Sequence, residues 1–254
     1  MTAPTPFLAP GPPGGPSAPG AIRLTREGLR LDISRTDADD AGLTAIRAFR
    51  ARVLYAGGRR PGFRDAAGAY TDAQAQDLGS YQVSVFAGPA PDAPLVACAR
   101  LSPPAVAGHF WAPREFGPEA YAELLHAHGT HPAAVWEPGR LAVDPAARGR
   151  GLGRFTVAVI VALARALEAP ALLCLSGMDG GQHRLIESQG FRRCAGTERY
   201  SAEYDDRICA LLLRLDTPSD GTGPADARIE ELRRAIRTAF DAGSAASAGG
   251  AGPG

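Results

Sequence analysis

The stretch that most limits how this chain can fold runs from Leu152 to Leu167. Read as a helix it is apolar nearly all round, and no charge interrupts Phe155 to Ala164. A helix without a polar face has to be covered on several sides, which calls for a sheet beneath it. The uncharged run is ten residues, against the ~20 that a membrane span needs. Pro170 stops the helix, and Ala171 to Leu175 reads as a central strand.

Directly before this helix stands Arg-Gly-Arg-Gly-Leu-Gly, residues 148 to 153. Glycines at 149, 151 and 153 let the backbone turn sharply and bring N–H groups close to a ligand. The unpaired amides of the first helical turn and the positive end of the helix dipole then form an anion site. Arg148, Arg150 and Arg154 surround it with guanidinium groups suited to phosphate. A diphosphate is the natural guest, while an ordinary strand-to-helix turn is the plain alternative. The nucleotide-hydrolase loop requires Gly-Lys-Ser/Thr, but Gly153 is followed by Arg154 and Phe155. The spacing GxGxG also departs from the dinucleotide pattern GxGxxG.

Over 254 residues the formal net charge is zero, so no general affinity for nucleic acid or an anionic membrane is expected. All 27 basic residues are arginine, which removes lysine from the set of catalysts. Cys98, Cys174, Cys194 and Cys209 form no CxxC pair and read as buried reduced thiols, which points to the cytoplasm. Residues 1–20 are rich in Pro, Gly and Ala without a basic start, and read as a disordered arm. His126, His128 and His131 stand on a solvated loop without partners for a metal set.

Leu29 to Ser34 alternates as a first strand. Asp37, Asp39 and Asp40 then cap a helix with Leu43, Ile46, Phe49 and Val53 on one face. The segment 59–79 is polar and irregular, with a short helix near Thr71 to Leu78, and reads as a stretch able to close over a substrate. Tyr81 to Phe86 and Leu95 to Leu101 form a hairpin, and a helix covers Pro118 to His126. Ala133 to Val143 is a strand interrupted by Pro138-Gly139, a pair that signals a bulge or splay. A helix from Gln182 to Gln189 and a hairpin of Tyr200 to Tyr204 with Ile208 to Leu215 complete the domain, 21–216. A linker, 217–224, leads to an amphipathic helix, 225–242. Ile229, Leu232, Ile236 and Phe240 line one face, which can dock on its own domain or serve as a homodimer contact. Residues 243–254 read as a disordered tail.

The order of elements, with Arg148, Gly151 and Gly153 as RxxGxG, resembles the GNAT superfamily of acyltransferases over about residues 22 to 216. Gly190-Phe191 resembles the pair that ends that family's fourth helix. The resemblance implies an α/β (α+β) GNAT fold, with a mixed, mostly antiparallel sheet whose two splayed strands admit an acyl-thioester. It implies acetyl-CoA or a longer acyl-CoA as donor, held by Leu141, Ala142, Val143, Arg148, Gly149, Arg150, Gly151, Leu152, Gly153 and Arg154, and no metal. A narrower likeness lies in Val135 to Val143. Glu137 and Arg140, with Arg50/Val53, Arg100-Leu101 and Asp77, resemble positions of the autoinducer synthases and long-chain N-acyl amino acid synthases. Autoinducer synthases take acyl groups from carrier protein, whereas this glycine loop favours coenzyme A.

What this implies is an N-acyltransferase acting on the amine of a small molecule or amino acid, with a small-molecule acceptor as its partner. Glu137 is the candidate general base, or else an ion-pair partner of Arg140, and the amides of Leu141 to Val143 are the candidate oxyanion site. The family's usual acid, a tyrosine, is replaced by Ile186, leaving Tyr200, Tyr204 and Ser176 as substitutes. The acceptor pocket is expected from segments 59–79 and 110–131. A non-catalytic acyl-CoA-binding domain is the alternative of another class.

Overall fold

The computed structural model describes residues 22–56, 63–216 and 224–249. The expected N-terminal arm, nearly all of the linker and the end of the tail lie outside them. One nine-stranded sheet runs β1-β2-β3-β4-β5-β6-β9-β7, with β8 also paired to β9. Its strands are β1 Ile22–Arg26, β2 Leu29–Arg35, β3 Tyr81–Phe86, β4 Leu95–Ser102, β5 Val135–Val143, β6 Ala171–Gly177, β7 Arg192–Arg193, β8 Arg199–Ser201 and β9 Asp206–Arg214. Every pair is antiparallel except β5–β6. The helices are α1 Ala41–Ala56, α2 Trp111–Phe116, α3 Pro118–Ala127, α4 Leu152–Ala166, α5 Gln182–Glu187 and α6 Pro224–Gly249. This is the GNAT arrangement, a mostly antiparallel sheet with helices on both faces.

α4 shows why its sequence is apolar on every side. One flank packs on β3, β4 and β5, and the other is covered by α6. Ile229, Leu232 and Ile236 of α6 are buried there, so the amphipathic stripe docks within its own chain. Arg228 lies over the Phe155 ring at 5.1 Å, and Arg237 donates to the Ala166 carbonyl at 3.0 Å, so α6 grips α4 near both ends. The helix also outruns its expected end at 242, because the alanines that follow favour helix over the disorder expected from 243 onward.

Strand alternation sorts the side chains between two faces. Ala97, Ala99 and Leu101 of β4 and Leu172 and Cys174 of β6 point toward α4. Cys98 packs with Phe49 and Val53 of α1, and Ala171 and Leu173 with α2 and α3, on the opposite face. Three elements are absent from the sequence reading: β1, the short β7 and α2. β1, a hairpin partner of β2 across Glu27-Gly28, adds an edge strand; both turn residues have positive φ (50° and 75°), as a two-residue hairpin requires. α2, with Trp111 as its first residue, stands in what reads as an irregular stretch.

Truncating Ile236, fully buried between α6 and α4, is expected to be costly. Ile236→Ala lowers unfolding free energy by about 2–5 kcal/mol, whereas the exposed Arg234→Ala changes it by less than about 0.5 kcal/mol. Urea denaturation of the two variants checks the difference.

Candidate active site

β5 and β6 are paired only at Val135–Ala171 and Trp136–Leu172. Beyond Trp136 they diverge, and the β5 edge facing β6 has no strand partner. On its other edge β5 carries a bulge: Gly139 pairs with Arg100 and Ala142 with Cys98, so Arg140 and Leu141 stand opposite Ala99 alone. Arg140 takes a left-handed conformation, φ 55°, to make it. The Pro138-Gly139 interruption therefore coincides with a real splay.

A cavity passes through the sheet at this gap. Glu137, Arg100, Arg140, Trp111 and Tyr204 line its polar end, on the face of α1 and α2. Ala99, Val157, Ile160, Ile186 and Phe191 line the apolar end, with Cys174. Counted together with the open solvent at its mouth, the space measures about 930 Å³. A second, shallower groove runs over the glycine loop. Leu141, Ala142, Val143, Arg148, Gly149, Gly151, Leu152, Gly153 and Arg154 all line it; of the donor residues expected from sequence only Arg150 does not. The two spaces share Leu54, Leu141 and Gln182 as walls, so they adjoin.

The loop has the features of an anion cradle. Gly151 is the α4 N-cap at φ 77°, and Phe155 N–H to Gly151 O, 3.0 Å, is the first bond of the helix. The amides of Leu152, Gly153 and Arg154 precede it and have no intrahelical acceptor. A Cβ built on Gly149 or Gly151 would meet nothing within 4 Å, so open space lies in front of both.

Glu137 is 3% exposed. Its carboxylate accepts from Gln76 Nε2 at 2.9 Å, from Trp111 N–H at 2.8 and 3.1 Å, and from Ala112 N–H at 3.2 Å. Three donors thus occupy a group with about four acceptor positions, leaving room for one more. Burial pushes its pKa above the usual carboxylate range, and the amides of α2 and Gln76 pull it part of the way back. The ion pair with Arg140 considered from sequence is absent. Arg140 instead meets Asp72 at 3.2 Å and donates from Nε to Gln74 Oε1 at 2.9 Å.

Behind the polar end lies a buried charge cluster. Asp77 accepts from Arg47 at 2.9 Å, from Arg50 at 2.8 and 2.9 Å, and from Arg100 at 2.8 Å. Although burial opposes it, these guanidinium groups, Arg50 foremost, hold the Asp77 carboxyl well below the ordinary range. Arg100 is pushed down to about 10 by burial and by Arg50 and Arg140, against the pull of Asp77. Four arginines (47, 50, 100 and 140) thus face Asp72 and Asp77, and Arg47 pairs with Asp39 as well. Arg100 and Arg140 are the two of them that line the cavity, beside Glu137.

Asp72, Gln74, Gln76 and the Trp111–Tyr204 contact are not legible in the sequence. Of segment 59–79, expected as a cover over the acceptor, residues 59–62 lie outside the described residues, and 63–79 instead holds the arginines and Glu137 of the cavity in place. From segment 110–131 only Trp111 lines the cavity. Of the substitute acids, Tyr200 is 62% exposed and donates to Asp205, and Ser176 is buried and turned to the Gly177 carbonyl. Tyr204 alone of the three lines the cavity. The four cysteines are buried and unbridged. Among the described residues no three His, Cys, Asp or Glu side chains converge as a metal set, and no helix is long and apolar enough to cross a membrane.

No family model and no curated protein matches the chain. Among solved structures, TofI in a ternary complex with an inhibitor and MTA aligns with a TM-score of 0.52 and 17% identity, over 82% of this chain and 98% of that one. The AHL synthase LasI aligns with a TM-score of 0.50 and 17% identity, over 73% of this chain and 89% of that one. At these identities the likeness is one of fold.

Removing Asp77 strands buried guanidinium groups. Asp77→Ala is expected to cost about 3–5 kcal/mol in a denaturant titration. Because the folded pKa lies below the unfolded one, the stabilisation is complete above ~4 and fades as pH falls through the lower folded value. The variant's stability therefore varies less with acidification than that of the parent.

Proposed function

We propose that the protein transfers an acyl group from a coenzyme A thioester to the amine of a small molecule or amino acid. The observation that carries this reading is the shared wall of Leu54, Leu141 and Gln182. A ligand whose diphosphate lies on the amides of Leu152 to Arg154 can run its thioester along β5 and its acyl chain through the gap toward α4. The acceptor amine enters from the polar end, and its nitrogen attacks the carbonyl carbon. Glu137 takes the amine proton, its raised pKa suiting a base that must later release it. The unpaired β5 edge around Leu141 to Val143 offers N–H donors to the oxyanion.

The apolar depth of the cavity favours chains longer than acetyl, in keeping with the long-chain N-acyl amino acid and autoinducer-like reading. Arg100 and Arg140 at the polar end suit an acceptor that carries a negative group. The glycine loop supports coenzyme A over a carrier protein as donor.

Two variants test the reading. Gly151→Glu puts a carboxylate and a strained φ into the anion cradle, and calorimetry with octanoyl-CoA should show affinity lower by about 100-fold, roughly 3 kcal/mol. Glu137→Gln should slow thiol release in the presence of amines by about 10²–10⁴. Because its amide would also disturb the donors of α2, the pH profile is the decisive readout. The parent loses rate as pH falls through a value above the ordinary ~4.3, and the variant shows no such limb. Undiminished turnover in Glu137→Gln contradicts the base, and undiminished binding in Gly151→Glu contradicts the cradle.

A further inference from the structure

The acyl chain of the proposed donor has to find room at the apolar end of the cavity, and the fold fixes how much there is. α4 begins at Leu152, shortly after β5 ends at Val143, and returns along β5. At 1.5 Å per residue, Val157 and Ile160 stand about 7.5 and 12 Å along the helix from Leu152. Three residues apart, they share a helix face, and both line the cavity. Leu163, the next step in that row, is fully buried and does not line it.

The strands close the same end. β5 and β6 part beyond Trp136 but are paired at Trp136–Leu172, and Leu172 is fully buried in the core that also holds Leu163. On β4, Ala99 lines the cavity, while Leu101 on the same face is fully buried and does not. The space therefore ends blind at Ile160, with Leu163 and closed strands beyond it. This end wall is braced from behind, since α6 covers the other flank of α4 with Ile229, Leu232 and Ile236. A close-packed interior of this kind does not yield to a longer guest.

The span follows from the sheet. Ala99 on β4 and Cys174 on β6 stand on either side of β5, two strand spacings or about 10 Å apart. An extended chain of single bonds advances about 1.2 Å per bond, as the three bonds per residue of an extended backbone show, so about eight bonds fill that span.

We propose that Ile160 is the end wall of a blind acyl pocket and sets its limit, which makes the donor a medium-chain acyl-CoA of about eight to ten carbons. The limit excludes the long-chain end of the donor range considered above.

The inference rests on the acyl-transfer reading only for its donor, and the test reads binding, which needs no turnover. Calorimetry with coenzyme A and with its non-cleavable acyl thioethers, in steps of two carbons up to hexadecanoyl, gives affinity against chain length. Up to the wall each added methylene should tighten binding about fourfold, equivalent to the ~0.8 kcal/mol of a buried CH₂. Past about ten carbons the gain should stop. Ile160→Ala should move that break to chains about three carbons longer, and the milder Ile160→Val by about one, because each vacates the volume of the deleted carbons. Ile236→Ala, which loosens α4 from α6 without touching the pocket, should leave the break where it is. Affinity that keeps rising to hexadecanoyl in the parent overturns the proposal, as does a break that stays put in both Ile160 variants or moves equally in Ile236→Ala. If coenzyme A and every thioether fail to bind the parent, the donor reading itself falls and the pocket assignment with it.

Discussion

Two neighbouring strands that part in mid-sheet forfeit a run of backbone hydrogen bonds, each worth about 1 kcal/mol, and the surroundings of β5 and β6 compensate for that loss. Above the gap, α4 is clamped between the sheet and α6, so the core on that side does not depend on β5–β6 pairing. Below it, Asp72 and Asp77 bind four arginines into a buried cluster that ties α1 and the segment before β3 to β4 and β5. Glu137 joins β5 to α2 through the amides of Trp111 and Ala112, and to the segment before β3 through Gln76. With both sides secured, the gap stays open and holds a cavity lined from both faces of the sheet.

The passage has two chemically distinct ends because strand alternation sorts side chains between two faces. Arg100 and Ala99 are neighbours in sequence yet serve opposite ends of one cavity. A thioester lying across the sheet would thus have its apolar tail in one layer and its attacking nucleophile in the other. Burial then supplies the electrostatics: it raises the Glu137 pKa and lowers that of Arg100 at the polar end.

Much of this was legible beforehand, for identifiable reasons. The glycine loop, the all-round apolar helix and the Pro-Gly break are local signals, and backbone geometry alone translates them into a cradle, a covered helix and a splay. The reach of Leu141 to Arg154 along the groove follows from strand and helix continuity; Arg150 is exposed and does not line it. What stayed hidden depends on contacts distant in sequence. Asp72, Gln74 and Gln76 read as part of a polar stretch able to close over a substrate until α1 supplies Arg50 and β4 supplies Arg100. Tyr204 reads as the end of a hairpin strand, one of three substitute acids, and only the folded chain brings it against Trp111. The Glu137–Arg140 pairing fails because Arg140 turns left-handed at the bulge and finds Asp72 instead.

The central claim is that a coenzyme A thioester threads from the glycine loop into the gap between β5 and β6. A crystal structure with a non-cleavable octanoyl-CoA thioether tests it most directly. The account expects the diphosphate within hydrogen-bond distance of the Leu152 to Arg154 amides, and the octanoyl chain passing Leu141 toward Val157 and Ile160. A diphosphate bound elsewhere, or a chain lying in solvent with β5 and β6 closed behind it, would contradict it.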